Sequence, residues 1–202
     1  MNKTRLEAFS DGVIAIIITI MVLEMKSPEG GSLAALMPLI PVFFSYVISF
    51  VFVGIYWNNH HHLMQTVKQV NGKILWANLH LLFWLSIIPF CTSWVEENFF
   101  DPWPFVLYGI NMQMAGLAYY ILIQAIISHH GDESDLKKVI GGDLKGKISH
   151  ICYWIAIPLA FFNTILCFIL YAIVAAMWFI PDKRIERLFG KDHNIKGGIA
   201  NQ

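Results

Sequence analysis

Residues 148–180 read ISHICYWIAIPLAFFNTILCFILYAIVAAMWFI, a run of 33 residues without one Asp, Glu, Lys or Arg. As a single helix rising about 1.5 Å per residue it would be roughly 50 Å long, whereas the hydrocarbon core of a bilayer is about 30 Å thick. Pro158 and Asn163 stand near its middle, and both residue types favour a bend or a tight turn. The run therefore predicts two short or tilted membrane helices, at about residues 148–161 and 164–180.

The rest of the chain holds four more apolar stretches long enough to cross a bilayer, which takes roughly 20 residues. They are residues 9–25, 33–57, 74–95 and 105–127. Composition agrees, since 56% of the residues are hydrophobic and only 14% are charged, against about 25% charged in a typical soluble domain. We predict an all-α integral membrane protein in which residues 1–202 form a single domain of six transmembrane helices.

The charges indicate how this domain lies in the membrane. Lys+Arg and Asp+Glu number 14 each, so no net charge attracts nucleic acid. With six crossings, however, all basic residues except Lys26 fall on one side of the membrane. Basic loops stay in the cytoplasm, which predicts that both termini are cytoplasmic. Five crossings would leave the basic C-terminal segment outside.

The sequence offers no motif for covalent chemistry. It contains no Gly-rich phosphate loop, nucleophile elbow or metalloprotease motif, and no Thr-Val-Gly-Tyr-Gly filter of ordinary potassium channels. His60, His61 and His62 are adjacent, but successive residues on a helix point about 100° apart, so the three do not readily share one ion. We predict no catalytic residue, no metal site and no cofactor, and therefore not an enzyme.

The first helix carries a patterned apolar face. Ile16, Ile20 and Leu23 follow the i, i+4, i+7 spacing of one helical face, and Thr19 lies on its border. If several copies surrounded an axis, such a face would form a narrow constriction that gates a pore by dewetting. The same spacing is equally consistent with a face that contacts lipid or packs on a neighbouring helix. Asp11, near the start of the helix, suits the free N–H groups there.

Two short segments resemble a known family. Residues 5–11, RLEAFSD, resemble the R-x-x-x-F-S-D signature of the transmembrane protein 175 family, and residues 57–61, WNNHH, are similar to the W-x-x-H-H of its bacterial members. The family consists of unconventional potassium channels of bacteria and archaea, with a doubled version in animal endosomes and lysosomes. The match is specific in the first helix, moderate in the second and architectural beyond.

The resemblance implies a homotetramer in the plasma membrane of a prokaryote, with the first helix of each subunit lining a central pore. It implies passive flow of potassium and other monovalent cations, with the lipid bilayer as the surrounding partner. The residues to which it assigns roles are Ile16, Ile20 and Leu23 as the pore constriction, Thr19 as a cation-coordinating hydroxyl, and Arg5, Phe9, Ser10, Asp11, Trp57 and His61 as a structural network.

Two other classes of function remain open from the sequence. A secondary transporter or proton-leak pathway needs an ionisable or broken-helix site near the middle of the membrane, for which Pro89, Pro158 and Asn163 offer little. A non-conducting membrane scaffold fits every apolar feature but leaves the signature unexplained. The oligomeric state separates these classes best, because a pore lined by one helix per subunit requires several subunits.

Overall fold

The structure, a computed structural model, describes residues 2–130 and 144–179. These residues form seven α-helices and one 3-10 helix, joined by turns. In chain order they are α1 (Lys3–Glu24), the 3-10 helix (Leu33–Leu39), α2 (Ile40–Gln65), α3 (Gly72–Ser86), α4 (Ile88–Glu97), α5 (Pro102–His130), α6 (Leu144–Leu159) and α7 (Thr164–Phe179). Since α3 and α4 follow each other across Ile87 and form one pass, the seven helices make six passes. The predicted all-α class with six transmembrane helices is confirmed.

The six passes differ in length. Within the described ranges, four are long and apolar enough to cross a membrane: α1, α2 with the preceding 3-10 helix, α3 with α4, and α5. Helices α6 and α7 have 16 residues each, which is about 24 Å at the α-helical rise and less than the hydrocarbon thickness of about 30 Å. The final two passes are therefore the short ones, as their shared apolar run suggested.

The turn between α6 and α7 divides this run where Pro158 and Asn163 stand. Pro158 lies in the last turn of α6, which ends at Leu159. Proline lacks the N–H that would continue the helical ladder. The side chain of Asn163 then accepts a hydrogen bond from the Leu166 N–H at 3.0 Å, which caps the start of α7.

Contacts between helix ends show that the first three passes alternate in direction. At one end of the bundle, here called the terminal end, Lys3 Nζ on α1 donates to the carbonyl of Gln65 on α2 at 3.3 Å. At the opposite end, here called the far end, Lys26 Nζ lies 2.6 Å from Glu97 Oε1 at the end of α4. The chain thus starts at the terminal end and reaches the far end after α1 and again after α4.

Several helix bounds differ from those predicted. Helix α1 begins at Lys3 rather than near residue 9, because the Asn2 side chain accepts from the Thr4 N–H at 3.2 Å and caps it. The predicted 33–57 helix is a 3-10 helix followed by α2, which continues to Gln65. Three more helices begin a few residues before their predicted starts. Helices α3, α5 and α6 begin at Gly72, Pro102 and Leu144, whereas the predicted segments were 74–95, 105–127 and 148–161.

The third pass is interrupted. Helix α3 ends at Ser86 and α4 starts at Ile88, with Pro89 in its first turn. Because Pro89 has no N–H to donate, the ladder from the preceding turn cannot run through it. The predicted continuous helix over 74–95 is therefore wrong in this detail, although the pass itself is present.

The core lies around α5, which packs against α3, α4, α6 and α7. Helix α1 lies on one side of the bundle and packs mainly on α2, α3 and α4. One face of α1 is consequently buried, and another is left uncovered by the rest of the described chain.

Candidate functional site

Helix α1 has two contrasting faces. The face toward α2, α3 and α4 buries a regular stripe of Leu6, Ser10, Ile14, Ile17 and Met21. These positions recur every three or four residues, which keeps them on one side of the helix. The stripe explains why α1 has a fixed orientation against the bundle.

The residues predicted to form a constriction lie on the other face. Ile16, Ile20 and Leu23 are 59%, 39% and 79% exposed. For apolar side chains in a membrane helix, this exposure leaves lipid or another subunit as the neighbour. The structure therefore brings these three side chains onto one uncovered surface.

The exposed face extends over the whole length of α1. Besides Ile20, it includes Arg5, Phe9, Gly12, Ile16, Thr19 and Leu23, and these six positions are separated alternately by four and three residues. This average spacing of 3.5 residues is the repeat of helices that pack against one another along a seam. A Cβ added at Gly12 would meet no atom within 4 Å, so the subunit has open space there.

Thr19 is exposed on the border of this face. Its hydroxyl donates to the carbonyl of Ile16 at 2.8 Å, the back-bonding that threonine commonly makes in a helix. The hydroxyl oxygen retains its acceptor capacity, because a hydroxyl carries two lone pairs in addition to its one hydrogen. Thr19 therefore offers an oxygen beside an otherwise apolar stripe.

A polar contact links α1 to α2 near the terminal end. The indole N–H of Trp57 donates to Asp11 Oδ1 at 3.0 Å, and the Trp57 ring stacks on His61 with centroids 6.1 Å apart. His61 in turn lies within hydrogen-bonding distance of Gln65, at 2.9 Å between Nε2 atoms. Asp11, Trp57 and His61 are thus brought together.

A second, fully buried chain of hydrogen bonds joins α1, α2 and α3. Ser10 Oγ donates to the Leu6 carbonyl at 2.9 Å and accepts from Asn78 Nδ2 at 2.9 Å. The other amide atom, Asn78 Oδ1, lies 2.7 Å from His60 Nε2. Because Oδ1 can only accept, His60 carries its proton on Nε2 in this contact. Ser10, Asn78 and His60 are each no more than 1% exposed, so the polar groups satisfy one another inside the bundle.

Sequence reasoning missed Asn78 and His60 as members of this network. Asn78 is an amide inside the apolar segment LWANLHLLFWL, residues 75–85, and an isolated polar residue in a membrane helix usually has a polar partner on another helix. That signal was available for Asn78. Its partner was not identifiable, because the contact joins positions 68 residues apart.

Two residues of the signature do not join either set of contacts. Arg5 and Phe9 are exposed on the uncovered face of α1. The adjacent histidines also diverge, since His60 meets Asn78 whereas His61 stacks on Trp57. Within residues 2–130 and 144–179, no group of three His, Cys, Asp or Glu residues is arranged to hold a metal ion.

An ion pair lies at the far end of the bundle, just after α1. The ion pair between Lys26 and Glu97 connects the segment after α1 to the end of α4. The hydrogen bond and negative charge of Glu97 raise the pKa of Lys26 above its ordinary 10.5. Both side chains are largely exposed, at 80% and 54%, so the pair is screened by water and salt.

Comparison with known proteins relates these features to a family. Residues 5–89 match the profile of the family described as endosomal/lysosomal potassium channel TMEM175. The chain is 56% identical over 187 residues to a potassium channel of Chryseobacterium sp. (strain P1-3), an alignment that covers 93% of this chain and 97% of that protein. It is 40% identical over 101 residues to the endosomal/lysosomal proton channel TMEM175 of Homo sapiens, covering 44% of this chain and 20% of that one.

A solved structure shares the fold. The crystal structure of a lysosomal potassium-selective channel TMEM175 homolog from Chamaesiphon minutus matches with a TM-score of 0.77 and 24% sequence identity. The match covers 88% of this chain and 96% of that one. The region matched by the family profile runs from α1 into α4 and contains both polar contact sets described above.

Proposed function

The chain belongs to the TMEM175 family of ion channels, and we propose from this premise that it is a passive, potassium-permeable cation channel whose pore is lined by α1. Monovalent cations cross down their electrochemical gradient, with no cofactor and no covalent step. As a member of an ion-channel family, the chain is not an enzyme. The observation that carries the proposal is the uncovered apolar stripe of Ile16, Ile20 and Leu23 on α1.

The proposed assembly is a homotetramer with one α1 from each subunit around the axis. Residues 2–130 and 144–179 of a single subunit leave the stripe without a covering element. A pore lined by one helix per subunit needs several copies. The alternating spacing of four and three residues along the face supports packing of α1 on its own copies. The space at Gly12 suits close approach of helices in a membrane.

The constriction is proposed to act as a hydrophobic gate. Ile16 and Leu23 are seven residues apart, so the apolar segment is about 10 Å long. Water leaves such a narrow apolar segment readily, which blocks ions without a moving plug. In place of a carbonyl filter of the Thr-Val-Gly-Tyr-Gly type, the proposed cation ligand is the Thr19 hydroxyl. Selectivity is therefore set by pore width and this hydroxyl, and it is modest.

The polar contacts are proposed to orient the gate. Ser10 and Asp11 are adjacent and point about 100° apart around α1, and they bind Asn78 on α3 and Trp57 on α2 respectively. Two contacts in different directions fix both the depth and the rotation of the helix. In this account Ser10, Asp11, Trp57 and His61 position the constriction and do not contact the ion.

We place the channel in the plasma membrane of a prokaryote, with both termini in the cytoplasm. The bias of basic residues supports this orientation. Lys3, Lys73 and Lys147 lie at the terminal end of the bundle, whereas Lys26 lies at the far end. The surrounding partner is the lipid bilayer.

Potassium flux into liposomes tests the proposal directly. We expect the purified wild type to conduct and Ile16→Asn to conduct several-fold faster, because an amide in the constriction stabilises water there. Ile169→Asn is the matched control, since Ile169 on α7 is similarly exposed, at 46%, but lies away from α1. Absence of flux in wild type and Ile16→Asn, with both proteins folded and inserted, would refute the channel. An equal gain of potassium flux in Ile16→Asn and Ile169→Asn would refute the gate.

The other classes give different results in the same liposomes. A proton pathway, which the name of the human relative favours, acidifies the liposome lumen without potassium movement, and a pH-sensitive dye in the lumen reports this change. A secondary transporter shows saturable flux that depends on a second solute. A non-conducting scaffold shows neither, and a monomeric or dimeric mass in detergent supports it.

A further inference from the structure

A cavity of about 600 Å³ lies between α2, α5, α6 and α7, away from α1. Its volume falls in the range of about 300–1,000 Å³ that holds small molecules. Buried Phe52, Ile123 and Tyr153 form its inner wall, whereas Leu117 and Tyr120 on its rim are exposed on the outer surface of α5. In a membrane protein this rim faces lipid, so the cavity opens toward the bilayer.

Two tyrosine hydroxyls in the cavity have no hydrogen bond to the described part of the chain. Tyr56 and Tyr153 line it, and their rings contact Tyr119 and Tyr171 respectively. Within residues 2–130 and 144–179, neither hydroxyl donates to or accepts from another group. Neither hydroxyl is sealed inside packed protein, so a molecule held in the cavity can reach both. These hydroxyls therefore favour an occupant that carries a hydrogen-bond acceptor.

The end of the cavity at the start of α6 is positively charged. Lys147 lines the cavity and is exposed, and within the described ranges it has no carboxylate partner. Lys145 lies 5.9 Å over the ring of Trp178, another lining residue. Lys147 precedes Tyr153 by six residues, about 9 Å along the helix. The cavity thus presents a cation at its mouth, hydroxyl donors deeper inside, and apolar walls around them.

We propose that this cavity binds one anionic phospholipid from the leaflet at the terminal end of the bundle. The phosphate lies at Lys147, the ester carbonyls accept from Tyr56 and Tyr153, and an acyl chain runs along Phe52 and out past Leu117. Basic pockets between membrane helices on the cytoplasmic side bind anionic headgroups in this way. The inference is independent of the proposed conduction, because none of these residues lies on the α1 face.

Native mass spectrometry of the purified protein with equimolar phosphatidylglycerol and phosphatidylcholine tests this site. We expect the wild type to retain more phosphatidylglycerol than phosphatidylcholine. Lys147→Gln should lower that preference about fivefold, which corresponds to one lysine near a charged headgroup. Lys73→Gln removes the same charge from exposed Lys73 at the same end of the bundle, outside the cavity, and should keep the wild-type preference.

Two further variants distinguish lipid binding inside the cavity from attraction of lipid to surface charge. Ile123→Phe adds bulk at the inner wall and should remove retained lipid, while Tyr56→Phe should weaken retention and keep the preference for phosphatidylglycerol. The mass of the assembled protein shows that each variant is folded. Equal retention of the two lipids, equal effects of Lys147→Gln and Lys73→Gln, or no retained lipid in the wild type would overturn the proposal.

Discussion

The indole N–H of Trp57 on α2 donates to the carboxylate of Asp11 on α1 across 3.0 Å. The contact ties the first membrane helix to the second near the terminal end, one residue beyond the buried Ser10. A carboxylate acceptor makes this hydrogen bond stronger than a neutral one. We propose that this contact helps to fix the rotation of α1, and hence the direction of its exposed stripe.

Trp57→Phe should lower stability by about 1 kcal/mol, since it removes the donor and keeps a ring to stack on His61. For a chain of this size the loss corresponds to a fall of about 2–4 °C in Tm. A double-mutant cycle with Asp11→Asn should show that the two changes are not additive. Trp76→Phe, at an exposed indole on α3, serves as the control. Additive effects would mean that the contact contributes nothing to stability.

Asn78→Leu should lower the free energy of unfolding by more than Trp57→Phe does, by about 2 kcal/mol or above. It leaves the buried His60 N–H without an acceptor, and an unsatisfied buried group costs about 1–3 kcal/mol. Asn58→Leu, at an exposed asparagine of α2, should leave Tm nearly unchanged. The double variant His60→Leu, Asn78→Leu should regain part of the loss, because removing both partners leaves no orphan. If the double variant is less stable than Asn78→Leu alone, the network is not the cause.

Gly109 on α5 marks a close approach to α7. A Cβ there would overlap the Tyr171 hydroxyl, which donates to the Phe105 carbonyl at 2.8 Å. Gly109→Ala should therefore lower stability by about 1–3 kcal/mol. Gly54→Ala, where a Cβ meets nothing within 4 Å, should be neutral or stabilising. Adding Tyr171→Phe to Gly109→Ala should reduce the overlap, and a failure to recover any Tm would contradict this explanation.

The Lys26–Glu97 ion pair at the far end gives a prediction for pH and salt. Because the pKa of Lys26 is raised, the stabilisation is fully present below its ordinary value of 10.5 and is lost as pH rises through the raised value. Lys26→Gln should lower Tm slightly at neutral pH and low salt. That difference should shrink at high salt and close at strongly alkaline pH. A difference that grows with pH would contradict the assignment.

The sequence was most informative where a single residue type determines the local backbone. Pro158 and Asn163 marked the turn between α6 and α7, and the structure ends one helix and caps the next there. The helix spacing of Ile16, Ile20 and Leu23 placed them on one face of α1, and all three are exposed together.

Features that depend on tertiary contacts were harder to predict. The predicted second helix ended at residue 57, before a polar segment, yet α2 continues through that segment to Gln65. Its polar side chains are accommodated by partners, since His60 bonds to Asn78 on α3 and His61 stacks on Trp57. Neither partner follows from local propensity. The cavity at Lys147 was likewise invisible, because four helices distant in sequence form it.

Thiol block of the current tests the central claim, that the exposed face of α1 lines the pore. Cysteines are placed one at a time at Ile16, Ile20, Leu23 and Ile169 after replacing Cys91, Cys152 and Cys167. A water-soluble, positively charged thiol reagent is then applied while potassium current is recorded. We expect block at the three α1 positions and no effect at Ile169 on α7. Unblocked current at all three α1 positions, or equal block at Ile169, would contradict it.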